Sequence, residues 1–212
     1  MGSLKIIMGP MFSGKTEMLI EEHNEELNKL PYDESREKII AYNYFKDTRY
    51  GDNIISSHNG KLISSINIQI LSEIFKDEKF KKRTHIFINE AQFFPDLKDS
   101  VIKLVEQHNK YVTICGLDSD FKREKFGQIW DLIPYADNVT KLYGKCNNCD
   151  NKSLFTHRIS YETEQEVVGN NNYVPLCRSC YININNSDNK NITDTMQENS
   201  NEQISLSVSL IN

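Results

Sequence analysis

Apolar positions fall in short β-branched runs separated by segments with helical spacing, the alternation expected of an α/β domain. The first run, Leu4 to Met8, is followed by Leu19, Ile20, Leu27 and Leu30, spaced to share one helical face from Thr16 to Leu30. Lys38 to Tyr42 predicts a short strand with Ile39, Ile40 and Ala41 buried. Ser56 to Gly60 predicts a turn that leaves His58 at the surface, and Ile66 to Ile70 alternates strictly, as a half-buried strand does. A helix capped by Ser72 is expected next, turning Ile74 and Phe75 inward and ending in the basic cluster Lys79, Lys81, Lys82 and Arg83 in water. His85 to Ile88 is apolar and β-branched, which predicts a central parallel strand. A helix over 96–109 with Val101, Ile102, Leu104 and Val105 as its stripe then leads to a buried strand, Val112 to Cys115, in which Cys115 is a small core residue. Trp130 to Tyr135 reads as a helical turn and Val139 to Leu142 as the last strand.

Composition narrows the class. The 212 residues are 38% hydrophobic and 26% charged, which suits one globular domain with an appendage. No run approaches the roughly 18 apolar residues of a membrane span, and the first strand begins at once, so a cytoplasmic protein is expected. A net charge of −5 argues against a broad electrostatic grip on nucleic acid and for a small anionic ligand held by a few placed groups. Five cysteines in such a chain are not expected to pair as disulfides.

The strongest chemical signal is Gly9-Pro10-Met11-Phe12-Ser13-Gly14-Lys15-Thr16, which fits G-x-x-x-x-G-K-[ST] between a strand and a helix. Such a loop wraps backbone N–H groups around nucleotide phosphates, with Lys15 reaching the β- and γ-phosphates and the Thr16 hydroxyl ligating magnesium. The polar stretch Lys46 to Asp52 leaves the second strand at the ligand edge of an open sheet, where Arg49 either pairs with a phosphate or sits in a solvated turn. Asn89 and Glu90 end the central strand. Glu90 there is either a base for a hydroxyl nucleophile or a surface residue, and the adjacent Phe93 and Phe94 favour an apolar pocket wall. Phe121 and Phe126 lie beyond the next strand and either pack under a planar ring or plug the core.

At Cys146 the character changes. Cys146 and Cys149 form one C-x-x-C and Cys177 and Cys180 another, with residues 150–176 between them. Two such pairs predict a closed tetrahedral zinc site, structural rather than catalytic, against the alternative of free thiols. The insert from Arg158 to Pro175 is a long polar loop with strand-like Val167-Val168, held at its base as a lid would be. Beyond Cys180 the chain turns to Asn, Ser and Asp, which predicts a disordered tail, although Ile204 to Leu210 alternates like a strand.

The loop Gly9 to Thr16, Lys46-Asp47-Thr48-Arg49-Tyr50, Glu90-Ala91-Gln92-Phe93-Phe94-Pro95, Leu117-Asp118 with Phe121 and Phe126-Gly127, and Cys177-Arg178-Ser179-Cys180-Tyr181 together resemble the type II, cytosolic-type thymidine kinases, in order and spacing from residue 4 to about 181. The resemblance implies a P-loop NTPase-like (RecA-like) α/β fold with a mainly parallel sheet flanked by helices and a small C-terminal zinc-ribbon or lasso module. Its divisions would be a kinase domain over 1–144, a zinc-binding lid over 145–182 and a polar tail over 183–212. It implies transfer of a phosphoryl group from ATP to the 5′-hydroxyl of thymidine, with Glu90 as base, structural Zn²⁺ on the four cysteines and Mg²⁺ with ATP at Thr16. Residues 9–16, Asp47, Thr48, Arg49, Asn89, Ala91 and Gln92 would line the ATP side. Phe121, Gln165, Glu166, Val167, Val168, Gly169 and Tyr173 would hold the nucleoside, with Met11, Leu117, Phe126 and Thr156 in the wall beside the base. No nucleic-acid or membrane partner is implied, and members assemble as homotetramers. Two departures stand out: Asn89 occupies a place where the family carries Asp, and Gly169 to Asn172 is one residue short and lacks a second glycine.

A nucleotide-gated nucleic-acid-binding protein with a zinc ribbon is disfavoured by the acidic balance and by the lack of basic and aromatic interleaving around Cys146 to Cys180. A nucleoside-monophosphate kinase with a zinc-held lid would be expected to carry its cysteines mid-chain.

Overall fold

The computed structural model describes residues 1–47, 51–166 and 172–186. Its apolar runs become β1 (Ser3–Gly9), β2 (Ile39–Tyr44), β5 (Ile66–Ile68), β6 (His85–Ile88), β7 (Tyr111–Leu117) and β8 (Asn138–Lys141), which assemble in the order β5-β2-β6-β7-β1-β8 with every neighbouring pair parallel. Parallel strands need crossovers that cover both faces. These are supplied by α1 (Lys15–Lys29), α2 (Tyr32–Lys38), α3 (Leu97–Ile102) and short 3-10 segments.

The pleat divides the core in two. Leu4, Ile6 and Met8 of β1 and Ile86 and Ile88 of β6 face Leu97, Val101 and Leu104, while Ile7 and Phe87 turn the other way onto Leu19 and Ile20 of α1. The second layer is closed by Ile55 and Ile63 from the hairpin of β3 (Ile54–Ser56) and β4 (Leu62–Ser64). Each of these side chains is fully buried or nearly so, and each such burial contributes about 1.5–3 kcal/mol.

Register matters most at the carboxyl edge. Met8 lies beside Gly116, Gly9 beside Leu117 and Ile88 beside Ile114, so the segments leaving β1, β6 and β7 emerge side by side. A crevice at that edge is where open parallel sheets take their ligands.

The helix expected after Ser72 is instead a 3-10 segment, Leu71–Lys76, and its cap comes from elsewhere: the Asp96 carboxylate accepts from the N–H groups of Leu71 (2.9 Å) and Ser72 (2.8 Å). The basic cluster lies beyond that segment. Lys79, Lys81 and Lys82 are exposed as expected, but Arg83 is buried and donates to the carbonyl oxygens of Glu37 (3.1 Å) and Ile39 (3.5 Å). The helix expected over 96–109 is α-helical only to Ile102 and continues as a π turn, Lys103–Gln107. Lys110 is buried after it and donates to the carbonyls of Phe80 (3.0 Å) and Arg83 (2.5 Å), with burial lowering its pKa.

Past β8 the sheet gives way to two hairpins, β9 (Gly144–Lys145) with β10 (Lys152–Ser153) and β11 (Phe155–Arg158) with β12 (Tyr173–Leu176), then a helix, α4, over 178–186. Helical turns therefore run beyond residue 183, into the Asn-rich stretch. The predicted strand-like Val167-Val168 and Ile204 to Leu210 lie outside the described residues.

Candidate functional site

The loop from β1 to α1 is shaped by its glycines. Gly14 has φ +82 and opens α1, and a Cβ at Gly9 would lie 2.6 Å from the Leu142 carbonyl oxygen and 2.8 Å from Ser13 Oγ. Phe12 also adopts positive φ (61), where a side chain costs energy, and such strain concentrates at ligand sites. The Lys15 ammonium donates to the Pro10 carbonyl at 2.7 Å, so its charge already lies over the loop. The Met11 N–H donates to Thr156 Oγ1 at 3.0 Å, which ties the loop to β11.

Behind the loop runs a chain of amides. Thr16 Oγ1 donates to Asn89 Oδ1 (3.4 Å), Asn89 Nδ2 to Asn43 Oδ1 (2.9 Å), and Asn43 Nδ2 to the carbonyl (3.2 Å) and carboxylate (3.3 Å) of Asp47. Cys115 Sγ reaches the same Asn89 Oδ1 at 3.0 Å. Burial, reinforced by the Glu90 charge, pushes the Cys115 thiol up to about 12, which keeps it a protonated core residue at neutral pH. Glu90 follows Asn89 in a left-handed conformation (φ 53), and Gln92 Nε2 donates to its Oε2 at 2.7 Å.

These groups surround one cleft of about 200 Å³. Met11 to Thr16, Asp47, Asn89, Glu90 and Gln92 line one part of it, and Leu117, Phe126, Gln165, Glu166 and Tyr173 line another. Gly9, Pro10 and Ala91 are buried in the backbone behind. Thr156 acts on the cleft through Met11, from a buried position. Phe121 is not among the lining residues: its ring centre lies 3.8 Å from the Arg158 guanidinium, which fills the space between it and Tyr173. Thr48, Arg49, Val167, Val168 and Gly169 lie outside the described residues.

Sequence reasoning missed part of the wall. Tyr44 stacks on Phe93 (5.1 Å between ring centres, 26° between planes), and Phe93 meets Phe126 edge-on at 5.4 Å, so three aromatic rings line an apolar side. An aromatic residue at the carboxyl end of β2 was the available signal. His58, expected at the surface, is exposed at the mouth of the cleft with its ring 6.0 Å from that of Phe12. Phe94 is core, 1% exposed, and backs the wall from behind Tyr44.

The roof hangs on buried Arg158. Its guanidinium donates to the carbonyls of Glu162 (2.9 Å), Glu164 and Gln165 (3.1 Å) and to the Tyr173 hydroxyl (2.5 Å). Gln165 Nε2 in turn donates to Asp120 Oδ2 (2.8 Å), and Glu166 pairs with Lys46 (3.7 Å), which brings this loop over the cleft.

Cys146, Cys149, Cys177 and Cys180 converge, their sulfurs all within 4.8 Å of one another. Separations of 3.6 Å (Cys149 to Cys177) and 3.7 Å (Cys149 to Cys180) fit the edge of a tetrahedron of thiolates about a metal held at about 2.3 Å. Leu176, Tyr181 and Phe155 pack on the cluster, and Tyr181 Oη donates to the Phe121 carbonyl at 2.6 Å, fastening it to the loop after β7. Among the described residues no helix is long and apolar enough to cross a membrane.

A family model described as thymidine kinase matches residues 2–181. The chain is 37% identical over 186 residues to the thymidine kinase of Oryza sativa subsp. japonica, covering 85% of this chain and 66% of that longer protein. It is 35% identical over 183 residues to the thymidine kinase of Myxoma virus (strain Uriarra), covering 85% of this chain and 97% of the viral protein. The cytosolic thymidine kinase of Bos taurus is 32% identical over 182 residues, covering 85% and 72%. With a phosphate loop, a carboxylate and an aromatic slot around one cleft and a match that runs from β1 to the last cysteine, the chain belongs to the thymidine kinase family.

Proposed function

We infer that the cleft at the carboxyl ends of β1, β6 and β7 is where this ATP-dependent thymidine kinase moves the γ-phosphoryl group of ATP to the 5′-hydroxyl of thymidine, giving dTMP. One observation carries the reading: Lys15 and Thr16 of the phosphate loop and the Glu90 carboxylate, more than seventy residues apart in sequence, line a single cavity.

Phosphoryl transfer asks a protein for position and charge more than for covalent chemistry. The loop N–H groups and the N-terminus of α1 take the β- and γ-phosphates, and Lys15 exchanges the Pro10 carbonyl for phosphate oxygen. Glu90 orients the nucleoside hydroxyl and accepts its proton as the oxygen attacks the γ-phosphorus, while the bond from that phosphorus to the β,γ-bridging oxygen breaks and ADP leaves. The slot of Tyr44, Phe93 and Phe126 takes the flat base, with Met11 and Leu117 beside the methyl, and Tyr173 and Gln165 close over it. An apolar contact with one methyl discriminates by only about 1–3 kcal/mol, so rejection of other bases rests on polar groups that the wrong ring leaves unpaired. Thr16, Asn89 and Asp47 offer oxygen donors that would hold a hard cation, and Mg²⁺ bound with ATP would supply charge neutralisation for the phosphates there. The four thiolates suit structural Zn²⁺, which would pin both ends of the lid. The P-loop, RecA-like identity of the sheet, the zinc-ribbon or lasso identity of the module, a cytoplasmic location and a homotetramer all belong to this reading.

ADP release measured with thymidine, dTMP and DNA as acceptors tests it. Turnover with thymidine is expected; turnover only with dTMP or only with DNA would overturn it.

A further inference from the structure

We propose that Gln92 is a positioning residue for Glu90: its buried amide is locked in one orientation and presents an N–H to the carboxylate that takes the substrate proton. The inference rests on the reading of Glu90 as the base.

Four observations converge on this side chain. Gln92 is 3% exposed. Its Oε1 accepts from the Leu117 backbone N–H at 3.0 Å, and because an N–H can only donate, the acceptor end of the amide must lie there and the donor end toward Glu90. Nε2 then meets Glu90 Oε2 at 2.7 Å, the length of a hydrogen bond to a charged acceptor. Finally, two glycines stand bare where Gln92 passes: a Cβ at Gly116 would lie 2.4 Å from Gln92 Oε1, and one at Gly127 (φ +62) 2.1 Å from the Gln92 carbonyl oxygen.

The consequence is geometric. The last torsion of a glutamate is soft, so an untethered carboxylate samples many planes. Holding Oε2 fixes the plane and aims the other oxygen in one direction. The same amide ties Glu90 to the backbone of Leu117, a wall residue of the nucleoside slot, so the distance between slot and base is set by one rigid link. Preorganisation of this kind removes a rearrangement from the reaction step.

Other titratable groups share the cleft. Lys15, Glu17, Lys46 and Asp47 lie on the phosphate side. Tyr44, His58, Cys115, Glu166 and Tyr173 complete the set among the described residues. All of them are unchanged in a Gln92 variant, so a difference from the parent reports the amide.

The test is single-turnover phosphoryl transfer to thymidine, which reads the chemical step rather than product release, with thymidine KM, nucleotide affinity and Tm measured alongside. Gln92→Met keeps the volume and removes the donor; it is expected to slow transfer about 10- to 100-fold while ATP affinity stays near the parent's. Gln92→Glu, which sets a like charge beside Glu90, is expected to slow it further. Should Gln92→Met fold poorly, Gly116→Ala pushes on Oε1 from the other side and is expected to slow the same step. Transfer at the parent rate in variants that fold, with loss confined to KM or Tm, would overturn the proposal. Full activity in Glu90→Gln would instead sink the base reading itself, so the two failures are distinguishable.

Discussion

Replacing Arg158 by Met removes the group on which the cleft's roof depends. Arg158 is 5% exposed, and its guanidinium lies over the Phe121 ring and donates to three carbonyls of residues 162–165 and to the Tyr173 hydroxyl. Hydrogen bonds to a charged group each contribute about 1.5–3 kcal/mol. The loop residues themselves are exposed, so water replaces much of what their carbonyls lose. Counting mainly the Tyr173 bond and the ring contact, about 2–4 kcal/mol of loop and slot order should disappear. That loss is expected to fall on nucleoside binding, because Tyr173 and Gln165 line the part of the cleft assigned above to thymidine and the phosphate loop is untouched. At 1.4 kcal/mol per decade, KM for thymidine should rise about 30- to 700-fold while ATP affinity changes little. Arg158→Lys should rescue poorly, since a point charge cannot span several carbonyls in a planar fork. Steady-state kinetics with limited proteolysis at 159–175 reads both effects. A thymidine KM within about twofold of the parent and an unaltered cleavage rate would refute the reasoning.

Cys177→Ser, or treatment with a zinc chelator, should loosen the cysteine module and lower Tm, with thymidine binding lost before ATP binding; full metal content and an unchanged Tm in Cys177→Ser would count against the four-thiolate site. Thr156→Val keeps shape but leaves the Met11 N–H without its acceptor, which should cost about 1–3 kcal/mol and raise the ATP KM; an unchanged KM would separate β11 from the phosphate loop. His23 is buried against Phe87, and burial lowers its pKa below the ordinary 6.5. Its contribution is therefore complete above about pH 6.5 and is lost as pH falls through the lowered folded value, so Tm should drop between pH 7 and 5, less steeply in His23→Gln. An identical slope in that variant would exclude His23 as a source.

The six strands of the central sheet were legible as local apolar or alternating runs, of which β1, β2, β6 and β7 are largely buried and the edge strands β5 and β8 are not, and the Gly9 to Thr16 loop, Glu90 and the cysteines stood out because their chemistry demands residue types at short spacing. What escaped depends on distant partners. Asp96 caps a segment some twenty-five residues earlier, and Lys110 closes the 80–83 turn from the far end of a helix. Arg158 reads as one more polar loop residue until β11 pairs with β12 and places Tyr173 beside it. The family resemblance implied Phe121 against the nucleoside, and nothing local announced that the Arg158 guanidinium would lie over that ring. Gln92 looked like one member of a phosphate-side motif, and only the bare backbone at Gly116 and Gly127 reveals its grip on the carboxylate.

The most direct test of the account is Glu90→Gln assayed for single-turnover conversion of thymidine to dTMP, with ATP affinity measured on the same sample. The account expects transfer to fall about 10²- to 10⁴-fold while ATP still binds. Transfer at the parent rate would contradict it.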